Sequence, residues 1–130
     1  MKLIRRKEFL AMPSYTLFSK YEPCVFNELN IKMSTIGDDD FVYQPIAQSV
    51  ALNGDKDFYS TLDAALNNGE SLNVDLDCFS RDGEFKKHQV FAVWELDDIA
   101  WLVEILNKCG FVALGSIMEK EIENEATKND

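Results

Sequence analysis

The sequence predicts a single α+β domain: a mainly antiparallel sheet of about five strands, with two to three helices packed chiefly on one face. Three observations carry this. Several short segments alternate apolar and polar residues at period two and are joined by turn-rich connections. Two longer segments repeat apolar residues at helical spacing. The chain has 130 residues, 46% of them hydrophobic and including 9 Phe, 4 Tyr and 2 Trp, which is enough for one core and not for two.

Residues 5–12 read as one or two helical turns, stopped by Pro13. Three strands follow. Residues 15–21 are aromatic and end at Glu22-Pro23. Residues 29–35 set Leu29, Ile31 and Met33 against Asn30, Lys32 and Ser34. After the turn at Gly37–Asp40, residues 41–46 form a strand whose Pro45 places its end at an edge or bulge. Together they predict a meander. Residues 53–69 read as a helix, with Phe58, Leu62, Ala65 and Leu66 as its stripe and Gly69 as its stop.

The Asp82-Gly83 pair then predicts a hairpin of residues 72–78 with residues 85–94. A two-residue turn there puts Asp77 across from His88 and Asp75 across from Val90. It also turns Val90, Ala92 and Trp94 outward, where the last helix or a second copy in a homodimer would have to cover them. Residues 97–109 read as a helix, with Gly110 at its C-terminal stop, residues 111–114 as a last short strand, and Ser116 and Glu119 as the capping box of a short acidic helix. The expected organisation is one domain over residues 1–115 and a frayed acidic helix or tail over residues 116–130.

Charge narrows the function classes. The chain carries 13 basic and 23 acidic residues, net −10, so a phosphate backbone repels it and direct nucleic-acid binding loses its main driving force. Residues 1–32 hold six basic and three acidic residues, so the acidity lies in the body. Uninterrupted apolar runs, residues 90–94 among the longest, are far short of the ~20 residues that span a bilayer. No membrane role is expected on that count. Cys24, Cys78 and Cys109 are odd in number, widely spaced and set among apolar neighbours, which predicts buried free thiols and a reducing, cytoplasmic location.

Catalytic and metal motifs are missing. His88 is the one histidine and no C-x-x-C occurs, whereas a zinc site wants four N or S ligands in close pairs. The acidic groups Asp38-Asp39-Asp40 and Asp75, Asp77, Asp82 and Glu84 do not follow the calcium-loop spacing. There is no G-x-S-x-G and no glycine-rich phosphate loop. No cofactor and no metal are expected. Two binding surfaces stand out instead. Trp94 and Trp101, with Asp38, Asp39, Asp40, Asp75 and Asp77, offer aromatic anchors among acids for a partner with a basic surface. Arg5, Arg6 and Lys7, with Tyr15 and Tyr21, offer charge and stacking to a small phosphorylated ligand.

The opening, Lys2-Leu3-Ile4-Arg5-Arg6-Lys7-Glu8-Phe9-Leu10, then Met12-Pro13 and residues 15–23, resembles the start of small bacteriophage accessory proteins. The resemblance covers about the first third of the chain and transfers no functional residue. It implies a setting: a protein made in an infected cell that binds and modulates a host protein, such as one of a host defence. A non-catalytic binding protein is therefore the leading expectation. A small-ligand binder that sequesters a phosphorylated metabolite or signalling nucleotide is the alternative.

Overall fold

A computed structural model describes residues 1–46, 58–72 and 77–128. The chain divides into two compact units, Met1–Trp94 and Glu95–Asp130. The first holds an antiparallel sheet of β1 (Lys2–Arg5), β2 (Thr16–Glu22), β3 (Val25–Ile36), β4 (Asp40–Pro45), β5 (Ser80–Arg81) and β6 (Val90–Val93). The strand order is β1-β6-β2-β3-β4-β5. Two helices, α1 (Arg6–Leu10) and α2 (Phe58–Asn68), belong to this unit, and α3 (Leu96–Lys128) makes up the second. The α+β class and the antiparallel sheet are as the periodicity predicts, with six strands and three helices among the described residues.

The β2–β3–β4 meander forms where period-two alternation places it. Glu22 pairs with Val25, so Pro23-Cys24 is a two-residue turn. Proline presets the first turn position, and Cys24 takes a left-handed φ of 70° at the second, a place that favours glycine. A bulge follows, where Glu28 has φ 56° between the Phe18–Asn30 and Lys20–Asn27 pairs.

The core lies on one face of the sheet and is built from phenylalanine. Phe9 of α1 stacks on Phe91 of β6 at 3.9 Å and 3°. It meets Phe18 of β2 at 4.7 Å and Phe41 of β4 edge-on at 5.0 Å. Ile4 and Val93 close the cluster, and all six side chains are buried. A five-residue helix has no stability of its own, so α1 exists because Phe9 anchors it. Its free C-terminal carbonyls find partners on β3. Lys32 Nζ donates to the Met12 carbonyl at 2.8 Å and to Thr35 Oγ1 at 2.8 Å, and Thr35 Oγ1 donates to the Leu10 carbonyl at 2.6 Å. Lys32 is itself buried, and burial pushes its ammonium pKa down.

Four expectations are corrected. Residues 5–12 are not all helical: β1 precedes α1 and ends at Arg5. The Asp82-Gly83 hairpin does not form. β5 pairs with β4, through Val42–Arg81 and Tyr43–Ser80, while β6 lies between β1 and β2. The reason is burial on both faces: Val90–Val93 is apolar throughout, which suits a central strand and not one arm of a two-stranded ribbon. Gly83 instead turns at φ 62° to carry Asp82 inward. Asp77 therefore does not face His88, Gln44 Nε2 donates to it at 3.1 Å, and Asp75 lies outside the described residues.

The third correction concerns the last helix. α3 runs unbroken from Leu96 to Lys128, through Gly110 and Gly115. Residues 111–114 form no strand. Ser116 is not a cap, since its hydroxyl donates back to the Val112 carbonyl at 3.2 Å, as a mid-helix serine does. Each glycine costs the helix about 1 kcal/mol, and continuation through helix-forming neighbours outweighs that. The fourth concerns the thiols, which are not buried: Cys24 and Cys109 are exposed and Cys78 is half-buried.

Candidate functional site

The sheet unit carries a network of paired charges. Asp82, whose side chain is 1% exposed, receives Lys20 Nζ at 2.6 Å and stands 3.7 Å from Arg6 Nη1. Lys20 also reaches Glu84 at 2.9 Å. Next to it, the buried Asp40 carboxylate accepts from the backbone N–H groups of Phe41 at 2.9 Å and Gly83 at 3.0 Å, and pairs with Arg81 Nε. Burial of Asp40 favours its neutral form, but Arg81 and the two N–H donors outweigh it and hold the carboxyl below its ordinary range. Lys20 shows the same balance: burial opposes its charge, while Asp82 and Glu84 raise its pKa. Each charge meets an opposite one, so the network ties the Asp82–Glu84 segment to β2 and α1. No group of three or more metal-ligating side chains occurs among the described residues.

Beside the network is a polar cavity of about 350 Å³, lined by Lys20, Asn30, Tyr43, Glu84, Lys86 and Gln89 among others. Asn30 Oδ1 is buried there without a hydrogen-bond partner, an acceptor open to a water or a ligand N–H. Glu22 and Glu28 also line it, so its carboxylates outnumber its ammonium groups.

The second unit offers a different surface. No residue of α3 is buried. Trp101, Leu106, Phe111, Val112, Ile117 and Ile122 are among its exposed apolar side chains, with Phe111 75% exposed. Its start is capped: the Asp98 carboxylate accepts from the Glu95 N–H at 2.8 Å, and Asp97 and Asp98 lie in the first turn. Between Ile99 and Met118 the charged residues are Glu104 and Lys108, paired one turn apart at 3.5 Å. By length and composition this helix is long and apolar enough to cross a membrane. Counting uninterrupted runs overlooks it, because Glu104 and Lys108 divide the segment.

The residues singled out from sequence are spread over these surfaces. Trp94 is half-buried and its Nε1 donates to Ser19 Oγ at 3.3 Å, covering the buried Ala92 and Ser19 pair. Trp101 is exposed on α3. Asp38 and Asp39 are exposed, whereas Asp40 is fully buried and engaged with Arg81. Arg5 and Lys7 line one shallow surface hollow with Glu8, and Arg6 is buried against Asp82 and the Asp39 carbonyl. Tyr15 stands exposed at φ 69°, and Tyr21 packs on Phe26 at 5.7 Å and borders Lys86, Lys87 and His88. The structure thus does not gather Arg5, Arg6, Lys7, Tyr15 and Tyr21 in one hollow. Neither a family model, nor a curated protein, nor a solved structure matches this chain.

Proposed function

We propose that this chain is a non-catalytic binding protein and that α3 is its docking element. The observation that carries this is the exposure of α3: an apolar helical surface of this size in water marks a contact with something else. The satisfied charge network supports it from the other side, since every ion in it has a structural partner.

The partner is protein and not lipid, by magnitude. Residues 99–118 hold nine Leu, Ile, Val or Phe residues. At about −0.3 to −0.6 kcal/mol each they favour insertion by roughly 3–5 kcal/mol, while two ionisable groups near the middle oppose it by about 5–7 kcal/mol. Both flanks are acidic, with Glu95, Asp97 and Asp98 before the segment and Glu119, Glu121 and Glu123 after it, so no basic end anchors it to an anionic leaflet. Net charge −10 also selects a partner with a basic surface. In the setting implied by the bacteriophage resemblance, that is a host protein, bound in the cytoplasm and modulated by occupancy of its surface.

The test is affinity capture from host lysate with the full chain, a Leu102→Glu/Leu106→Glu variant and a Glu104→Ala/Lys108→Ala variant, at low and high salt. The reading expects capture with the wild type and the second variant, loss with the first, and weakening as salt rises. Capture equal in all three would overturn it.

A ligand-binding reading is favoured by one observation, the orphaned Asn30 Oδ1 in the polar cavity. It calls for a small molecule with an N–H donor, and the carboxylate-rich lining disfavours phosphate. A thermal-shift screen with amines and nucleotides tests it: a ligand at 100 times its Kd adds about 2.7 kcal/mol, and a flat screen ends the idea.

A further inference from the structure

We propose that the polar cavity of the sheet unit is a binding site for a small organic cation, an ammonium or guanidinium group on a short apolar stem, with an N–H of that group donating to Asn30 Oδ1. This rests on the ligand-binding reading and names the ligand class.

The face of the sheet that carries the cavity comes first. Phe18 pairs with Asn30, and Lys20, two residues on, pairs with Phe91, so Asn30 and Lys20 share a face with the phenylalanine core. The core fills one part of that face, and the cavity begins at Phe18, where the inward positions turn polar. Lys32 shows how a buried polar group is treated on this face. It is as buried as Asn30, and its ammonium donates to the Met12 and Met33 carbonyls and to Thr35 Oγ1. Asn30 Oδ1 differs: it is buried, on the cavity wall, and without a donor. A buried acceptor left open destabilises a fold until something fills the place.

The rest of the lining selects the sign of the charge. Three donors that line the cavity are committed. Lys20 Nζ donates to Asp82 at 2.6 Å and to Glu84 at 2.9 Å, and Lys86 Nζ stands 3.6 Å from Glu84. Gln89 Nε2 donates to the Tyr21 and Val90 carbonyls at 3.0 Å and 2.9 Å. What the lining adds to Asn30 Oδ1 is acceptors: the Gln89 amide oxygen and the carboxylates of Glu22 and Glu28. An anion entering here meets those carboxylates and finds both ammonium groups engaged. A cation with N–H groups finds acceptors of the right sense and charge. Phe18 and Tyr43 supply an aromatic wall for its stem. A volume of about 350 Å³ lies near the lower end for small-molecule sites, so the ligand is compact.

NMR titration of the isotope-labelled full chain with tyramine and with agmatine tests this. Para-ethylphenol serves as the tyramine stem without its nitrogen, and AMP as an anion. The Asn30 and Gln89 side-chain amide signals should shift saturably with both amines, with Kd below about 1 mM. The phenol and AMP should act at least tenfold more weakly. Asn30→Leu replaces the open acceptor by carbon, so it should weaken both amines at least tenfold while the melting temperature holds or rises. Glu22→Gln, at the exposed rim, should weaken them severalfold and flatten the salt dependence, and it carries the test if Asn30→Leu does not fold. Para-ethylphenol binding as tightly as tyramine overturns the cation site, and so does amine binding undiminished in folded Asn30→Leu or in Glu22→Gln. AMP shifting these signals where the amines do not also overturns it and leaves the ligand-binding reading standing. If none of the four compounds shifts them up to about 10 mM, both fall, and Asn30 Oδ1 is met by water alone.

Discussion

Lys20 on β2 and Asp82, 62 residues later, stand 2.6 Å apart, and the Asp82 side chain is 1% exposed. This pair holds the segment after β5 against the middle of the sheet. Removing one partner leaves the other charge buried with a weaker neighbour, Arg6 at 3.7 Å. Lys20→Met should therefore destabilise the chain by about 2–4 kcal/mol, at or below the usual cost of breaking a buried pair because Lys20 is 23% exposed. The double replacement Lys20→Met/Asp82→Leu should recover much of that loss. Urea unfolding of both variants checks it, and a loss under 1 kcal/mol for Lys20→Met would contradict the role given to the pair.

Acid should weaken the first unit in a defined window. Asp40 is held below the ordinary carboxylate range by Arg81 and two backbone N–H groups, and Glu84 is lowered chiefly by Lys20. A carboxyl whose folded pKa lies below its unfolded value of about 4 stabilises the fold at neutral pH. That contribution is lost as pH falls through the folded value. Urea midpoints should thus hold between pH 7 and 5 and fall below about pH 4. Asp40→Asn should be less stable at pH 7 and show a shallower acid decline. A wild type and variant with parallel acid limbs would speak against it.

Gly110 offers a direct test of the continuity of α3. In a helical backbone with open space around the Cβ position, Gly110→Ala and Gly115→Ala should each stabilise the helix by up to ~1 kcal/mol. If Gly110 ended a helix in the left-handed conformation, alanine would destabilise instead. Circular dichroism melting of the two variants gives the sign.

The β2–β3 turn should improve on substitution. Cys24 holds φ 70° after Pro23, a conformation that costs a non-glycine residue about 1–2 kcal/mol. Cys24→Gly removes that strain and adds backbone entropy to the unfolded chain, leaving a net gain of roughly 0.5–1 kcal/mol. Denaturant midpoints measured with reductant present check it, and a loss would show that the thiol makes a contact the turn needs.

Local rules made part of this fold legible. The meander was readable because each strand and turn is specified by neighbours: alternation at Leu29–Ser34, and Pro23 before a two-residue turn. α2 announced its end through Gly69, which takes φ 69°. The non-local pairings were not readable that way. β1 is four residues long and finds its place only because β6 arrives some 90 residues later. The unbroken apolar stretch Val90–Val93 was the available signal, since a strand apolar on both faces belongs inside a sheet. Asp82-Gly83 has the composition of a hairpin turn, but the carboxylate prefers Lys20 and Arg6, a competition the sequence does not display. For the candidate site, the spacing of Ile99, Leu102 and Leu106 was visible, and its continuation was hidden behind Gly110. Glycine marks a stop only where the chain beyond it gains a better arrangement, and residues 111–114 find none.

Amide hydrogen exchange across residues 99–118 of the purified full chain, alone and with the protein it captures from host lysate, decides whether α3 is the docking element. On binding these amides should gain protection, while the β2, β3 and β6 amides, already held in the sheet, stay unchanged. Unchanged exchange across residues 99–118 with the captured protein bound would place the contact elsewhere and overturn the role given to α3.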